Sequence, residues 1–465
     1  MMENVDLHKA QEEFTENFLL HGGSPFDIII NNENRYRILI LVYSMGVNGT
    51  SILSVARVLG LKDCKEVFTM TRDVQKPVST KDFLKDVFIC SLGAYGGPEA
   101  HYGVFTDQLI RKKQYLTEED LTELIALTQI LPGPSSTQTL VAIGYKMGGP
   151  KLALLTMLVW SLPVIVVMIL LSFLSELLGV FHLREDGLRY IGPMAVGFII
   201  LAAYRIGTKV VKDSFTLGLL IFGAVGTFFI RASWIYPAVL FTGGLLAVAR
   251  SKEKDIWHRV KLDPPYKYLF FFGFFALGGL LFSVFFDHVL IDLFESFYRY
   301  GYLVIGGGQV VIPLMYTELV EIQSYMSSQD FLTGFGLVQG LPGPMFSFSA
   351  YAGAMAAKGF GGILFQMMGG VVGAVGIFLP GLLLIYFIYP IWEKLKEIRG
   401  IKIALKGITA VAGGLIFTAA VVLMGRNGLA LDNVLVMLGT LLLLFTKKVP
   451  APLIVLGVLL LGFLL

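Results

Sequence analysis

The sequence QILPGP at residues 129–134 recurs as QGLPGP at residues 339–344, so the two copies lie 210 positions apart. Proline lacks an amide hydrogen and clashes with the preceding helical turn, so each Pro-Gly-Pro is expected to end one helix and to allow another to begin. The same shift of 210 aligns the flanking sequence without a gap, placing Tyr115 on Tyr325 and Asp120 on Asp330. The chain therefore contains an internal repeat that is interrupted at the same place in both copies.

The composition is that of a membrane protein. The 465 residues are 55% hydrophobic with a mean hydropathy of +0.72, which is more apolar surface than a soluble core of this length can bury. Uncharged segments of roughly 17 residues or more can cross a bilayer as helices, and they lack the alternation of membrane β-strands. We predict an all-α polytopic membrane protein. The predicted spans cover about residues 151–178, 190–208, 214–231, 234–249, 267–290, 361–390, 402–425, 430–446 and 449–465.

The chain divides into four parts. Residues 1–82 form a polar, cytosolic N-terminal extension, residues 83–250 the first repeat, residues 251–292 a cytoplasmic loop with a linking transmembrane helix, and residues 293–465 the second repeat. Within the extension, two short amphipathic segments around a glycine-bearing turn at 46–50 fit either a helix-turn-helix-like unit or a regulatory cap. Because no basic face accompanies them, the cap is favoured and nucleic acid is not expected as a partner.

The lysine and arginine residues indicate how the repeats are oriented. They cluster at 250–267 and at 394–406, and both clusters should lie in the cytoplasm, where basic residues accumulate. Span 151–178 then runs outward and its equivalent, span 361–390, runs inward, so the two repeats have inverted topology. Because the chain begins without a signal peptide, we expect its N-terminus in the cytoplasm and its C-terminus outside the inner membrane.

The two interrupted stretches, 83–148 and 293–357, differ in charge. Arg111, Lys112 and Lys113 lie in the first, whereas residues 317–330 of the second carry acids and no lysine or arginine. The first loop is therefore expected on the cytoplasmic side and the second outside. On this interpretation the stretches are re-entrant hairpins that enter and leave on one side, and full crossings are the alternative.

The two breaks form the candidate substrate site. Irregular backbone is tolerated at membrane depth only where it is buried in protein or lines a watery cavity, and breaks at corresponding positions of two halves indicate the binding site of a secondary transporter. Free amides, hydroxyl groups and positive helix ends would converge there on an anion. The alternative is that each Pro-Gly-Pro only kinks a packing helix. The candidate residues at the breaks are Pro132, Gly133, Pro134, Ser135, Ser136, Thr137, Gln138, Pro342, Gly343, Pro344, Ser347 and Ser349.

Polar residues near two glycine runs extend this site. Glycine runs permit a hairpin tip or an anion-cradling loop, although they also serve helix packing. Glu99 and His101 are candidate proton-coupling residues, because ionisable groups at membrane depth are functional by default, and a surface position is the alternative. Arg205 either snorkels to the cytoplasmic surface or reaches the substrate. The other candidates are Gly96, Gly97, Pro98, Gln129, Gly307, Gly308, Gln309 and Gln339.

The sequence gives little indication of metal binding, catalysis or nucleic-acid binding. Cys64 and Cys90 have no spacing suited to a disulfide framework or to zinc, and no two of the six histidines lie three or four residues apart. We therefore expect no metal and no cofactor. No constellation of nucleophile, base and orienting group is visible, so an enzyme is not expected. The net charge of +3 is too small to indicate nucleic acid.

The motif YGGPEAH at residues 95–101, followed by QILPGP and Gln138, resembles the chromate ion transporter family, and IGGGQVVIPL at 305–314 with QGLPGP resembles the second half of that family. Tyr95 stands where the family usually has phenylalanine, and Tyr115 and Tyr325 stand where it commonly has tryptophan. The resemblance implies a long, two-domain member that exports chromate, with sulfate as the similar natural oxyanion, driven by the proton motive force.

We therefore expect a secondary transporter in the lipid bilayer that exports a tetrahedral oxyanion by alternating access. An anion channel or uniporter of the same architecture, without proton coupling, is the second hypothesis. A membrane-bound enzyme or sensor that reports through residues 1–82 is the third, and a homodimer is left open. Changing Pro132 or Pro342 to alanine is expected to rejoin the half-helices and to abolish export.

Overall fold

The computed structural model describes residues 79–174, 176–177, 185–253, 257, 262–303, 311–396, 398–426, 428 and 430–464. The extension up to residue 78, with its predicted helix-turn-helix-like unit, lies outside these residues, as do residues 304–310. Over the described ranges the chain is helical and forms no β-strand, which confirms the predicted all-α class.

Within the described residues, the first repeat begins with four α-helices and one π-helix around its break and continues with three more α-helices. These are α1 (Thr80–Gly93), α2 (Pro98–Phe105), a π-helix at Thr106–Lys112, α3 (Glu118–Ile130), α4 (Ser135–Leu171), α5 (Ile191–Val210), α6 (Ser214–Phe229) and α7 (Ile235–Arg250). A 3-10 turn at Glu185–Leu188 precedes α5. Helix α8 (Tyr266–Phe285) links this repeat to the second.

The second repeat follows the same order. Its helices are α9 (Val289–Leu303), α10 (Val311–Tyr316), a π-helix at Thr317–Ile322, α11 (Ser328–Gln339), α12 (Phe348–Ala357), α13 (Ile363–Ile388), α14 (Trp392–Leu395), α15 (Arg399–Arg426), α16 (Leu431–Thr446) and α17 (Ala451–Leu464). Short 3-10 turns lie at Met345–Ser347, Lys358–Phe360 and Tyr389–Ile391.

The nine predicted spans all correspond to helices. Helices α4, α5, α8, α13 and α15 are long and apolar enough to cross a membrane. Helices α6, α7, α16 and α17 are also apolar but have only 14 to 16 residues. Helix α4 leaves helical geometry at Gly148 and Gly149, just before Pro150, so the predicted span from residue 151 is the part of α4 beyond this kink.

The two interrupted stretches have the same local structure, which confirms the repeat. Each contains a π-helix, and each has a non-glycine residue with φ of +52° before the next helix, Gln114 in one and Ser324 in the other. That next helix starts in both copies with a capping box, formed by Thr117 with Asp120 and, 210 positions later, by a serine with Asp330. The alignment of the sequences therefore holds at the level of backbone and caps.

Close backbone contacts bring the helices after the two breaks together. Helices α1, α2 and α3 pack against α4, helices α9 and α12 pack against α13, and α4 contacts both α12 and α13. A Cβ atom at Gly353 of α12 would lie 2.4 Å from the carbonyl oxygen of Gly369 of α13, so only glycine permits this approach. Small residues at such positions are typical of helix packing in membranes. Helices α5, α6 and α7 pack around α15.

Candidate substrate site at the two helix breaks

Each Pro-Gly-Pro separates two helices, as predicted. Helix α3 ends at Ile130 and α4 begins at Ser135, while α11 ends at Gln339 and the turn leading into α12 begins at Met345. The central glycine has a positive φ in both copies, +129° at the first and +106° at the second. A residue with a side chain reaches this region only with strain, so the breaks are set by glycine as well as by proline.

The second break is held by the first repeat. The backbone amide of Gly343 donates a hydrogen bond to the carbonyl oxygen of Ala94, at 2.8 Å. A Cβ atom at Gly343 would lie 3.0 Å from Val164 Cγ1 and 3.7 Å from the carbonyl oxygen of Trp160, both on α4. The backbone of this break therefore lies against the first repeat.

The first break is held in turn by the second repeat. The side-chain amide of Gln138 donates to the carbonyl oxygen of Pro132 at 2.8 Å and to that of Gly381 on α13 at 3.4 Å. A Cβ atom at Gly381 would also lie 3.4 Å from Pro134 Cδ. Each break thus contacts the opposite repeat, which places both of them at the interface between α4 and α13.

A hydrogen-bonded network surrounds the start of α4. His101 Nδ1 lies 2.9 Å from Ser136 Oγ, and Trp160 Nε1 donates to Thr137 Oγ1 at 3.1 Å. The His101 and Trp160 rings meet edge to face with centroids 5.3 Å apart. All four side chains are buried. The network therefore fixes the first turn of α4 and presents His101 to it.

Several buried polar atoms beside the breaks have no partner in the described part of the chain. In the first repeat these are His101 Nε2 and Gln138 Oε1, and in the second they are Gln339 Nε2, Ser347 Oγ and Ser349 Oγ. Buried polar atoms are nearly always hydrogen-bonded in proteins, so this group indicates a place for a polar ligand or ordered water. The hydroxyls and the Gln339 amide are donors, which suits the oxygens of an anion. The oxygen of Gln138 is an acceptor and would pair with water or a protonated oxygen.

The structure sorts the other predicted site residues by exposure. Gly96, with φ of +89°, and Gly97 precede Pro98 at the start of α2, as expected for a tight turn. The side chains of Glu99, Gln129 and Arg205 are exposed, whereas those of His101 and Gln339 are buried. Ser135, Pro132 and Pro342 are half-buried, and Pro134 and Pro344 are buried. Gly307, Gly308 and Gln309 lie outside the described residues.

Three contacts at the site had no signal in the sequence. Trp160, Gly381 and Ala94 contact the breaks. Gly381 and Ala94 belong to the opposite repeat from the break that they contact, and Trp160 lies 23 positions after its partner Thr137 in α4. Two of the three contribute only a backbone carbonyl oxygen, which any residue type carries. Trp160 lies within a long apolar run, where tryptophan is typical of ordinary packing.

The helices on the two sides of the first break are also joined by an ion pair. Lys146 Nζ of α4 lies 2.6 Å from Asp120 Oδ1 of α3. Burial raises the pKa of the Asp120 carboxyl group, but its hydrogen bonds with Lys146 and Thr117 outweigh burial and hold that pKa below its ordinary value. Asp120 therefore stays charged and the tie between α3 and α4 persists at neutral pH.

An open groove of about 590 Å³ lies beside α3 and reaches Ile130, the last residue before the first break. Within it, Lys396 Nζ lies 2.5 Å from Glu123 Oε1 and joins the second repeat to the first. The groove is lined by Glu118, Glu119, Thr122, Glu123, Ala126, Ile130, Trp392, Lys396 and Lys402.

An all-helical, polytopic membrane protein whose repeats meet at paired broken helices has the architecture of a membrane transport protein. More specifically, the chain belongs to the chromate transporter family, which matches residues 82–248 and 291–463. The two matched regions correspond to the two repeats.

Individual relatives agree with this assignment. A probable chromate transport protein of Synechococcus elongatus is 27% identical over 378 residues, which cover 79% of this chain and 91% of the relative. The chromate transport protein of Cupriavidus metallidurans is 27% identical over 383 residues, covering 79% and 88%. An uncharacterized transporter of Methanocaldococcus jannaschii is 24% identical over 387 residues, covering 80% and 91%. No solved structure matches the chain.

Proposed function

We propose that this protein exports chromate, or a similar tetrahedral oxyanion such as sulfate, across the inner membrane and couples export to the proton motive force by alternating access. Buried donors beside the two breaks, which have no partner within the described ranges of the chain, carry this proposal, because an anion that leaves water needs donors to replace its hydration. The relatives that are named chromate transport proteins support the choice of anion.

We assign His101 a role in proton coupling. Its ring is buried, one nitrogen contacts the first turn of α4, and the other has no partner in the described residues. An imidazole at this position can relay a proton between the interior of the protein and Glu99. The exposed carboxyl group of Glu99, two residues earlier, would exchange that proton with water.

Transport by the purified protein in proteoliposomes tests this function. We expect flux of chromate and sulfate, little flux of chloride, and faster anion flux when a pH gradient is imposed with the membrane potential clamped by potassium and valinomycin. Phosphate tests how strictly a dianion of this shape is selected. Liposomes without protein are the control. A chromate flux that is the same with and without the pH gradient would instead support the second hypothesis, a channel or uniporter.

The proposed orientation is tested by reporter fusions. Alkaline phosphatase, which is active only outside the cytoplasm, is expected to be active when fused after Leu465 and inactive when fused after Ser251. The reason is that the basic cluster at 250–267 holds that loop inside, whereas an odd number of further spans carries the C-terminus out. Equal activity at both positions would contradict the inverted topology.

A further inference from the structure

The two repeats carry buried polar networks at equivalent positions. In the first, Asp86 of α1 is 1% exposed and accepts hydrogen bonds from Gln108 Nε2 at 2.9 Å and Tyr115 Oη at 2.6 Å. Gln108 belongs to the first π-helix. In the second repeat, Ser296 of α9 donates to Glu318 Oε1 of the second π-helix at 3.3 Å. Ser296 and Glu318 lie 210 positions after Asp86 and Gln108. The carboxylate of the network is therefore on α1 in the first repeat and on the π-helix in the second.

The second network contains an additional acid. Arg299 donates through Nε and Nη2 to both oxygens of Glu295, at 2.7 and 2.9 Å. It also donates through Nη1 and Nη2 to both oxygens of Glu318, at 3.0 and 2.7 Å. The side chains are 20%, 13% and 7% exposed for Arg299, Glu295 and Glu318. One guanidinium group therefore bridges two carboxylates, and we call these three residues the arginine triad.

The two networks differ in charge. In the first repeat, Lys113 Nζ lies 3.2 Å from Asp86, so one carboxylate is balanced by one ammonium group. In the arginine triad two carboxylates share one cation, which leaves a net negative charge when both are ionised. A partly buried net charge is costly. Binding one proton makes the arginine triad neutral.

The surrounding elements add few charges. Helices α10, α12 and α13, which pack around α9 or its contacts, contain no charged residue, and α8 contains only Lys267, in its first turn. One turn beyond Glu318, Glu321 accepts from Arg231 at 2.6 Å and from Arg426 at 3.1 Å. These arginines are 36% and 56% exposed, so solvent screens them from the arginine triad. The remaining titratable neighbours are Tyr236, Asp287, His288, Asp292, Tyr298, Tyr302, Tyr316, Tyr325 and Tyr351.

Tyr300 supplies a partner for a bound proton. Its hydroxyl is fully buried and lies beside Glu318. The guanidinium carbon of Arg299 lies 5.5 Å from the centre of its ring. A protonated carboxyl group must donate to an acceptor when it is buried, and the oxygen lone pairs of Tyr300 provide one.

The arginine triad is connected to the breaks by direct packing. A Cβ atom at Gly301, two residues after Arg299, would lie 2.5 Å from Pro380 Cγ on α13, so the two helices are in tight contact there. The next residue of α13 is Gly381, whose carbonyl oxygen accepts from Gln138 at the first break. A movement of α9 relative to α13 would therefore displace residues at the candidate anion site, because the two are joined by direct packing contacts.

We propose that the arginine triad is a binding site for the coupled proton. This inference rests on the proposed function. When the site is empty of anion, a proton occupies the Glu295–Glu318 pair and Arg299 balances the carboxylate that remains. When the anion binds at the breaks, α13 shifts against α9 and the proton leaves to water. The first network, already balanced by Lys113, binds no proton in this cycle.

Replacing one acid of the arginine triad tests the proposal in proteoliposomes. Glu295→Gln leaves one carboxylate for one guanidinium group, so no proton is needed for neutrality. We expect pH-driven sulfate or chromate transport to fall by about tenfold or more, while exchange of anion for anion at equal pH stays within about twofold of the wild-type rate. Glu318→Gln should have the same effect as Glu295→Gln. Glu295→Asp, which keeps a carboxyl group, should show part of the pH-driven transport of the wild type. Asp86→Asn is the matched control, expected to keep pH-driven transport.

Proton release provides a second measurement. Sulfate added to the purified protein in weakly buffered detergent solution, with the dye pyranine present, is expected to release protons from the wild type and from Asp86→Asn but not from Glu295→Gln. The proposal is wrong if Glu295→Gln releases protons as the wild type does, or if Glu295→Gln and Asp86→Asn lose pH-driven transport and anion exchange alike. A wild-type protein without anion exchange would overturn the proposed function itself, which is a different result.

Discussion

Replacing Gly133 with alanine is expected to lower chromate transport in proteoliposomes by about 100-fold, because small displacements at a site have effects of this size. The residue has φ of +129°, where an alanine is strained by about 1–2 kcal/mol. The new Cβ atom would also lie 2.6 Å from Gln138 Nε2. Gln138 must then leave the carbonyl oxygens of Pro132 and Gly381, so the first break loses its contact with the second repeat.

The second break offers the same test with a different neighbour. Gly343→Ala is expected to reduce transport in the same direction, since its φ is +106° and its Cβ atom would lie 3.0 Å from Val164 Cγ1. Gly218→Ala on α6 is the matched control, because no atom lies within 4 Å of its added Cβ and alanine is favourable in a helix. Equal transport by Gly133→Ala, Gly343→Ala and Gly218→Ala would contradict a site at the breaks.

The structure also refines the expected effect of the prolines. Pro132→Ala leaves Gly133 and Pro134 in place, and Pro342→Ala likewise leaves Gly343 and its following proline. Each break then still has its positive-φ glycine, so rejoining the half-helices is harder than the sequence alone suggests. We expect the glycine variants to lose more transport than the proline variants.

Removing the two serine hydroxyls after the second break is expected to weaken anion binding without weakening the fold. Ser347 and Ser349 are 0% and 1% exposed, and their hydroxyls have no partner in the described residues. A hydrogen bond to a charged group contributes about 1.5–3 kcal/mol, so each change to alanine should raise KM for sulfate or chromate by about tenfold or more. Thermal stability of the anion-free protein should stay the same or rise, because alanine removes an unpaired polar group.

Ser161→Ala is the control for the serine variants. Its hydroxyl is also buried, but it donates to the carbonyl oxygen of Met157 in its own helix at 2.7 Å. It should leave KM unchanged. If Ser347→Ala and Ser349→Ala also leave KM unchanged, ordered water rather than the anion satisfies these hydroxyls, and the breaks serve packing.

The distinction between a substrate site and a packing kink depends on how the breaks are satisfied. A kink whose polar atoms all bonded one another would need no ligand. Here the backbones are held tightly, through Gly343 to Ala94 and through Gln138 to Gly381. Donors on Gln339, Ser347 and Ser349 have no partner among the residues that the structure describes. The combination of a rigid backbone and free donors is what a preorganised binding site requires.

Local chemistry accounts for what was predicted well. Long apolar runs predicted nine apolar helices, because a helix satisfies its own backbone hydrogen bonds in lipid regardless of its neighbours. Five of these helices, all within the described residues, are long enough to cross a membrane. The Pro-Gly-Pro sequences predicted both breaks, since proline restricts its own residue and the turn before it. The repeat of 210 residues predicted the matching caps at Asp120 and Asp330, which depend only on residues three positions apart.

Residues at equivalent positions of the two repeats have different surroundings. Gln129 and Gln339 occupy the same place in the repeat, yet the first is exposed and the second is buried. Asp86 and Ser296 are likewise equivalent, but one is balanced by Lys113 and the other contacts a triad with an extra acid. Burial and charge balance depend on which helices surround a residue, and the two repeats have different surroundings.

The sequence by itself determined the helices, their breaks and the repeat, because each of these follows from residues that are neighbours along the chain. Only the tertiary structure decided which groups meet at the breaks. The contacts of Gly381 with Gln138 and of Ala94 with Gly343 join residues that are about 250 positions apart, and a carbonyl oxygen leaves no trace in the residue type. Packing between the two repeats selects these partners, and with them the donors that stay without a partner in the described part of the chain.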